Sequence, residues 1–283
     1  MRATVNGNEP TLAADARLRA AVETRTACSP VRELIGEHDQ DAAYAVQTLR
    51  IDRRLAEGRR IVGRKIGLTS PSVQAQFGVF TPDYGVLLDD MIVADREPID
   101  LSRFIQPRVE AEVAFVLGRD LDSPTTHVAD VLRATEFVLP AIEIVDSRIA
   151  GWDIRITDTI ADNASSGAVV LGTTPRTLDG LDLAAVGMSL DRGGEPVSTG
   201  SGAACLGSPV IAVAWLVRAV ARHARPLRAG EVILSGALGP MVPATAGVYR
   251  ARLDGLGEVR ADFTDTTAID TTAIETAAEG AAA

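Results

Sequence analysis

Cysteine is scarce in this chain. Its 283 residues include two, Cys28 and Cys205, too few for a disulfide framework, so a reducing cytoplasm is the expected setting. Histidine is nearly as rare. His38, His127 and His223 are scattered, and neither a histidine-rich zinc site nor a Ser-His-Asp triad is expected from them. Aromatic residues make up 4%, which leaves Ala, Val, Leu and Ile to build the core. No apolar run reaches the roughly 18 residues of a membrane helix, and MRATVNGNEPTLAADARL carries no apolar signal-peptide segment, so neither membrane association nor a leader is expected. Positive charge is also short. With 28 basic against 38 acidic residues the net charge is −10, which argues against general affinity for nucleic acid or anionic membrane. An acidic substrate then needs a metal or a local cation. Leu234-Ser-Gly-Ala-Leu-Gly239-Pro-Met241 matches neither a Walker loop nor a G-x-G-x-x-G fingerprint, so no nucleotide is expected.

The chain supplies a helical beginning and a strand-rich remainder. Ala42, Ala45, Val46 and Leu49 recur at i, i+3, i+4 and i+7, with Gly58 as a stop. From about residue 61 short apolar runs alternate with Gly, Pro and Asp. IVGRKIG, RVEAEVAFVL, AIEIVDSRI, AVVLG, EVILSG and VYRARLDG read as strands. Helical patterns interrupt them at Val128–Phe137 and Pro209–His223. The expected fold class is α+β: a helical segment over 1–60, a mainly β catalytic domain over 61–264, and a disordered, low-complexity Thr/Ala tail over 265–283.

The most informative stretch is Gln106-Pro-Arg-Val-Glu-Ala-Glu-Val-Ala-Phe-Val-Leu117. Val109, Ala111, Val113, Phe115 and Leu117 alternate with Glu110 and Glu112, so a strand puts both acids on one face and the apolar set on the other. Two carboxylates two residues apart repel, and a hard divalent cation relieves that repulsion. In Leu139-Pro-Ala-Ile-Glu143-Ile-Val-Asp146 one acid, Glu143, stands where a core residue belongs. A buried carboxylate needs a cation, a proton or hydrogen bonds. E-x-E on a strand is more often a solvated face, and Arg108 or Arg148 in a structural ion pair is the competing explanation for Glu143.

Lys65 stands between Gly63 and Gly67 in an apolar strand, suited to binding a carboxylate or transferring protons, although most lysines lie at surfaces. Thr81-Pro-Asp83-Tyr-Gly85 reads as a turn, in which Asp83 is either a general acid/base or only a turn-former. Asp158 to Gly167 is dense in short polar groups; it either lines a pocket or is a capped loop, and the pattern favours the loop. Cys205 reads as a small packing residue.

GRKIGLTS, PDYGVLLDDM, QPRVEAEVAFVL, VLPAIEIVDSRI, DTIADNASSG, CLGSPV and GALGPMV, in that order, resemble the 2-keto-4-pentenoate (2-hydroxypenta-2,4-dienoate) hydratases among the fumarylacetoacetate hydrolase-like proteins. The resemblance runs from about residue 10 to 264. It implies a β-rich catalytic domain with a helical N-terminal part, and a Mg²⁺ or Mn²⁺ ion held by Glu110, Glu112 and Glu143. It matches Lys65, Asp83 and a serine of the pair Ser165 and Ser166 to pocket positions. The implied activity is metal-dependent hydration of 2-hydroxypenta-2,4-dienoate to 4-hydroxy-2-oxopentanoate in aromatic catabolism. Alternatives are a 2-oxo-3-hexenedioate decarboxylase, a C–C bond hydrolase, or a non-catalytic partner subunit. A homo-oligomer is expected, with a downstream aldolase as a further partner.

Overall fold

The computed structural model describes residues 8–70, 73–74, 79–222 and 225–265. The expected Thr/Ala tail beyond Asp265, and His223, lie outside the described residues. Three helices come first. α1 (Glu9–Thr24) is capped by the Asn8 side chain, which accepts from Thr11 N, and ends where Arg25 turns left-handed at φ 51°. A short α2 (Arg32–Ile35) follows. α3 (Gln40–Ala56) starts at Asp39, whose carboxylate accepts from Ala42 N, and it packs on α1.

Strands then dominate. β1 (Ile61–Gly67), β2 (Asp83–Leu88), β3 (Ile92–Val93), β4 (Pro98–Asp100) and β5 (Pro107–Leu117) precede α4 (Val128–Ala134). Next come β6 (Thr135–Asp146), α5 (Ile156–Ala161), β7 (Ser166–Leu171), β8 (Gly187–Arg192), β9 (Glu195–Ser201) and α6 (Pro209–Ala221). β10 (Val232–Leu234), β11 (Val242–Pro243), β12 (Gly247–Leu253) and β13 (Gly257–Thr264) complete the order. One sheet runs β2-β1-β10-β5-β6-β7-β3, with β11 also paired to β5; the second runs β4-β13-β12-β8-β9.

The long antiparallel pair β5–β6 is the spine of the first sheet. One face carries Val109, Ala111, Val113, Phe115 and Leu117, all buried in the main core with Tyr249, Ala251 and Val259 of the second sheet. Each such side chain contributes about 1.5–3 kcal/mol of burial when large. The other face carries Ala114, Leu139, Ala141, Val169, Leu87 and Leu234, a separate apolar cluster. The acids sit on that second face.

Several local expectations shift. The helix expected to reach Phe137 stops at Ala134, because residues from Thr135 join the β6 ladder opposite β5. Asp83 does not lie in a turn but opens β2, paired to Gly67 of β1. Asp158 to Gly167 is not a surface loop; α5 and the turn after it are buried. Gly202–Ala221 is apolar and long enough by composition to cross a membrane, although no such run was expected. Its α-helix proper is α6, 13 residues with Val213, Leu216, Val217 and Val220 buried. About 1.5 Å per residue gives roughly 20 Å, short of a bilayer's ~30 Å core, so α6 serves the protein interior.

Candidate active site

The β5–β6 register assembles the acids. Glu110 lies directly opposite Glu143, and Glu112 opposite Ala141, so the three carboxylates share one face at adjacent positions. One oxygen from each lies within 4.8 Å of the others. Glu112 and Glu143 are fully buried, and Glu110 is partly exposed. Glu112 Oε2 accepts from Gly236 N at 2.7 Å, whereas Glu112 Oε1 and both Glu143 oxygens receive no aligned hydrogen bond. Unsatisfied buried carboxylate oxygens converging on one point have the donor chemistry of a hard divalent cation.

The alternative ion pairs do not form. Arg108 stacks over Trp152 with its guanidinium carbon 4.7 Å from the ring centroid, and Arg148 is bound to Asp162 at 2.5 Å. The cation that faces the acids is Lys65. Its Nζ lies 3.3 Å from Glu143 Oε1, and the residue is buried. β10, between β1 and β5, is only three residues long, and the chain beyond it stays along β5 through Ser235 N to Val113 O and Leu238 N to Ala111 O, which brings Gly236 N to Glu112.

Asp83 stands beside them. Its Oδ2 accepts from Thr159 Oγ1 at 2.9 Å, and its Oδ1 is buried without a partner. Gly67 is required here, since a Cβ at that position would sit 2.2 Å from Asp83 Oδ1 and 3.5 Å from Lys65 Nζ. The turn before β7 is left-handed at three successive non-glycine residues, Asn163, Ala164 and Ser165, with φ of 58°, 52° and 54°. Such geometry costs about 1–2 kcal/mol per residue and is held by Asn163, whose side chain takes Val86 N and gives to Val86 O at 2.8 and 2.9 Å. The two serines differ. Ser166 Oγ donates to Asn163 O at 2.7 Å, while the buried Ser165 Oγ has no partner.

Protonation follows from this crowding. Burial, then the charges of Glu143 and other acids, raises Glu110 to about 7. Glu112 goes well above the usual range for the same reasons. Burial also raises Glu143, against the pull of Lys65. Burial alone would lower Lys65; Glu143, Asp83, Glu110 and Glu112 outweigh it and hold the ammonium above the ordinary lysine value. Burial raises Asp83, which Lys65 and Thr159 partly offset.

Three contributors lie inside stretches named above without having been singled out as site residues. Thr159, Gly236 and Asn163 hold site groups but carry no motif of their own. Cys205, expected only to pack, is buried and also donates from Sγ to Gly236 O at 2.9 Å, the carbonyl of the residue whose N–H binds Glu112. One overlooked signal was compositional: Lys65 is the single lysine among 28 basic residues. A chain that otherwise uses arginine throughout keeps an ammonium at this one buried point.

Comparison with known proteins shows the family and the fold. The profile of the fumarylacetoacetate (FAA) hydrolase C-terminal family matches residues 66–264. The chain is 59% identical over 247 residues to a TodF product hydratase of Pseudomonas putida, covering 87% of this chain and 92% of that one. It is 55% identical to a 2-keto-4-pentenoate hydratase of Paraburkholderia xenovorans over the same shares of each. A solved structure, 4-oxalocrotonate decarboxylase from Pseudomonas putida G7 complexed with magnesium and adipate, superposes with a TM-score of 0.86 at 35% identity, covering 90% of this chain and 98% of that one.

Proposed function

The chain belongs to the fumarylacetoacetate hydrolase family, and we infer from its site that it is a hydro-lyase, hydrating 2-keto-4-pentenoate (2-hydroxypenta-2,4-dienoate) in aromatic catabolism. The observation that carries this reading is the convergence of Glu110, Glu112 and Glu143 beside the buried Lys65, in a chain 51–59% identical to several such hydratases. The cofactor is a divalent metal ion; we assign it to Glu110, Glu112 and Glu143, with Mg²⁺ or Mn²⁺ as the preferred ion. Such an ion supplies Lewis acidity toward the oxygens of a 2-oxo acid and offsets their charge.

The chain's own residues do the rest. Lys65 keeps its proton because four acids surround it; it orients a substrate carboxylate and holds positive charge where negative charge develops. Asp83 Oδ1 is an open acceptor, and we assign it the proton transfers: it takes the dienol O–H proton while C5 gains one, giving the 2-oxo-3-enoate. Water then adds its oxygen to C4 and a proton to C3, yielding 4-hydroxy-2-oxopentanoate. Such acid–base help is worth about 10²–10⁴-fold. Ser165, with its free hydroxyl, is the better of the two serines for holding the attacking water; Ser166 supports the turn. The low cysteine content supports a cytoplasmic setting. We further propose a homo-oligomer and an aldolase acting on the product as a partner.

The test follows the absorbance of freshly made 2-hydroxypenta-2,4-dienoate with Mg²⁺ or Mn²⁺ and again with EDTA, with products identified by mass. Metal-dependent loss with gain of one water is expected. CO₂ release from 2-oxo-3-hexenedioate, without hydration of the pentadienoate, would reassign the site as a decarboxylase.

A further inference from the structure

One well-formed cavity does not open over the carboxylate cluster. It measures about 420 Å³ and lies where α1, α3, the end of β2 and the segment before β5 meet the Asn163–Gly167 turn. That is within the size of small-molecule sites. Seven arginines line it against four acids, a local positive excess in a chain of net charge −10. None of Lys65, Asp83, Glu110, Glu112 or Glu143 lines it.

The acids in the lining are already engaged. Glu23 faces Arg19, while Glu57 and Asp90 both face Arg54. Asp146 accepts from the Ile105 and Gln106 amides at 3.0 and 2.6 Å. Most of the arginines are engaged too: Arg53 with Asp15, Arg148 with Asp162, Arg25 with the Ser102 carbonyl. Two remain. Arg103 makes no ion pair among the described residues and only borders the Phe104 ring, at 5.8 Å. Arg50 makes no hydrogen bond among them; the one acid within 4 Å of it, Asp162 through Oδ1 at 3.9 Å, already takes Arg148 Nε at 2.5 Å, and Asp15, which also attracts it, is held by Arg53. The Arg50 side chain is only 16% exposed. A largely buried guanidinium without a bidentate partner is costly unless an anion completes it.

We propose that this cavity is a second binding site, distinct from the carboxylate cluster, for a small multiply charged oxyanion, a dicarboxylate or a phosphate, with Arg50 and Arg103 as its principal ligands. Guanidinium forks match either oxyanion. The cavity shares one wall with the carboxylate site. Arg148 Nη1 donates to Ser166 O, and a Cβ on Gly85, the register partner of Lys65, would sit 2.7 Å from Ser166 Oγ.

The experiment is calorimetric titration of the full chain, freed of metal with EDTA, using succinate, inorganic phosphate and pyrophosphate in turn. Removing the metal leaves the carboxylate cluster repelling anions, so binding reports the cavity. At least one probe should bind with a submillimolar Kd, and whether a dicarboxylate or a phosphate prevails identifies the source. Arg50→Gln and Arg103→Gln should each weaken it at least tenfold and leave hydratase turnover without added anion unchanged. Because Arg103 is exposed, its variant serves if Arg50→Gln does not fold. No binding of any probe at 10 mM, binding by both arginine variants as tight as by the wild type, or loss of binding in Lys65→Met but not in the arginine variants would each overturn the proposal. The readout is heat of binding, so a failed hydratase assay does not bear on it.

Discussion

Glutamine at position 110 should stabilise the metal-free protein while removing its activity. Burial and the facing Glu143 raise the Glu110 carboxyl from an ordinary 4.5 to about 7. At about 1.4 kcal/mol per pH unit, that displacement is worth roughly 3 kcal/mol. The folded-state value is the higher one. Below pH 4.5 Glu110 is protonated whether the chain is folded or not, and there is no penalty. As pH rises, the unfolded chain ionises first, and the penalty is complete above about 7. In EDTA at pH 8, Glu110→Gln should therefore gain up to about 3 kcal/mol, or about 6–12 °C in Tm at roughly 2–4 °C per kcal/mol. At pH 5 most of the gain should vanish. With Mg²⁺ or Mn²⁺ in excess the order should reverse, because bound ion stabilises only the wild type, and turnover of the variant should fall more than about 10²-fold. Thermal denaturation followed by circular dichroism across this pH range, with and without metal, measures all of it. A variant less stable than wild type in EDTA at pH 8, or a gain equal at pH 5 and pH 8, would refute the reasoning that the cluster is held together against its own repulsion.

Four other outcomes follow. Lys65→Met should reduce kcat by about 10²–10⁴-fold yet still bind the metal, as read by initial rates beside a Mn²⁺ titration; unchanged kcat would remove Lys65 from the reaction. Gly67→Ala drives a Cβ to 2.2 Å from Asp83 Oδ1, and should lower both turnover and urea midpoint; wild-type values for both would show that β1 yields there at no cost. Asn163→Ala strips the partners from Val86 N and O, at about 1–3 kcal/mol for each buried group left unpaired, measurable by urea denaturation. Phe115→Ala, in the core between the sheets, should cost about 3–5 kcal/mol without changing metal affinity.

Legibility in the sequence tracked how local the causes were. The alternation from Val109 to Leu117 is a backbone property of period two, so it announced both the strand and the shared face of Glu110 and Glu112. Glu143 announced itself by being an acid among Ala, Ile and Val. Asp83 was misread as a turn residue because Pro82 and Gly85 signal turns; the β1 partner that makes the segment a strand lies 16 residues back, across the Gly67–Asp83 pair. The buried turn before β7 was likewise hidden, since short polar residues read as solvated until a core surrounds them. The helix at Val128 ran on to Phe137 in the sequence reading because helical and strand patterns overlap where a long ladder captures the end of a helix.

The sequence by itself determined the acid pair on one face, the odd acid in an apolar run, and, through seven ordered stretches, the family. Those depend on residue type and spacing, which the chain carries with it. Only the tertiary structure decided that Glu110 opposes Glu143, that Lys65 reaches Glu143 while Arg108 and Arg148 are spent on Trp152 and Asp162, and that Ser165 rather than Ser166 keeps a free hydroxyl. It also left Arg50 buried beside a cavity with its acid already taken. These are pairings between groups far apart in the chain, and the competition for each partner is settled only when strands, helices and the water they exclude fix which charges can meet.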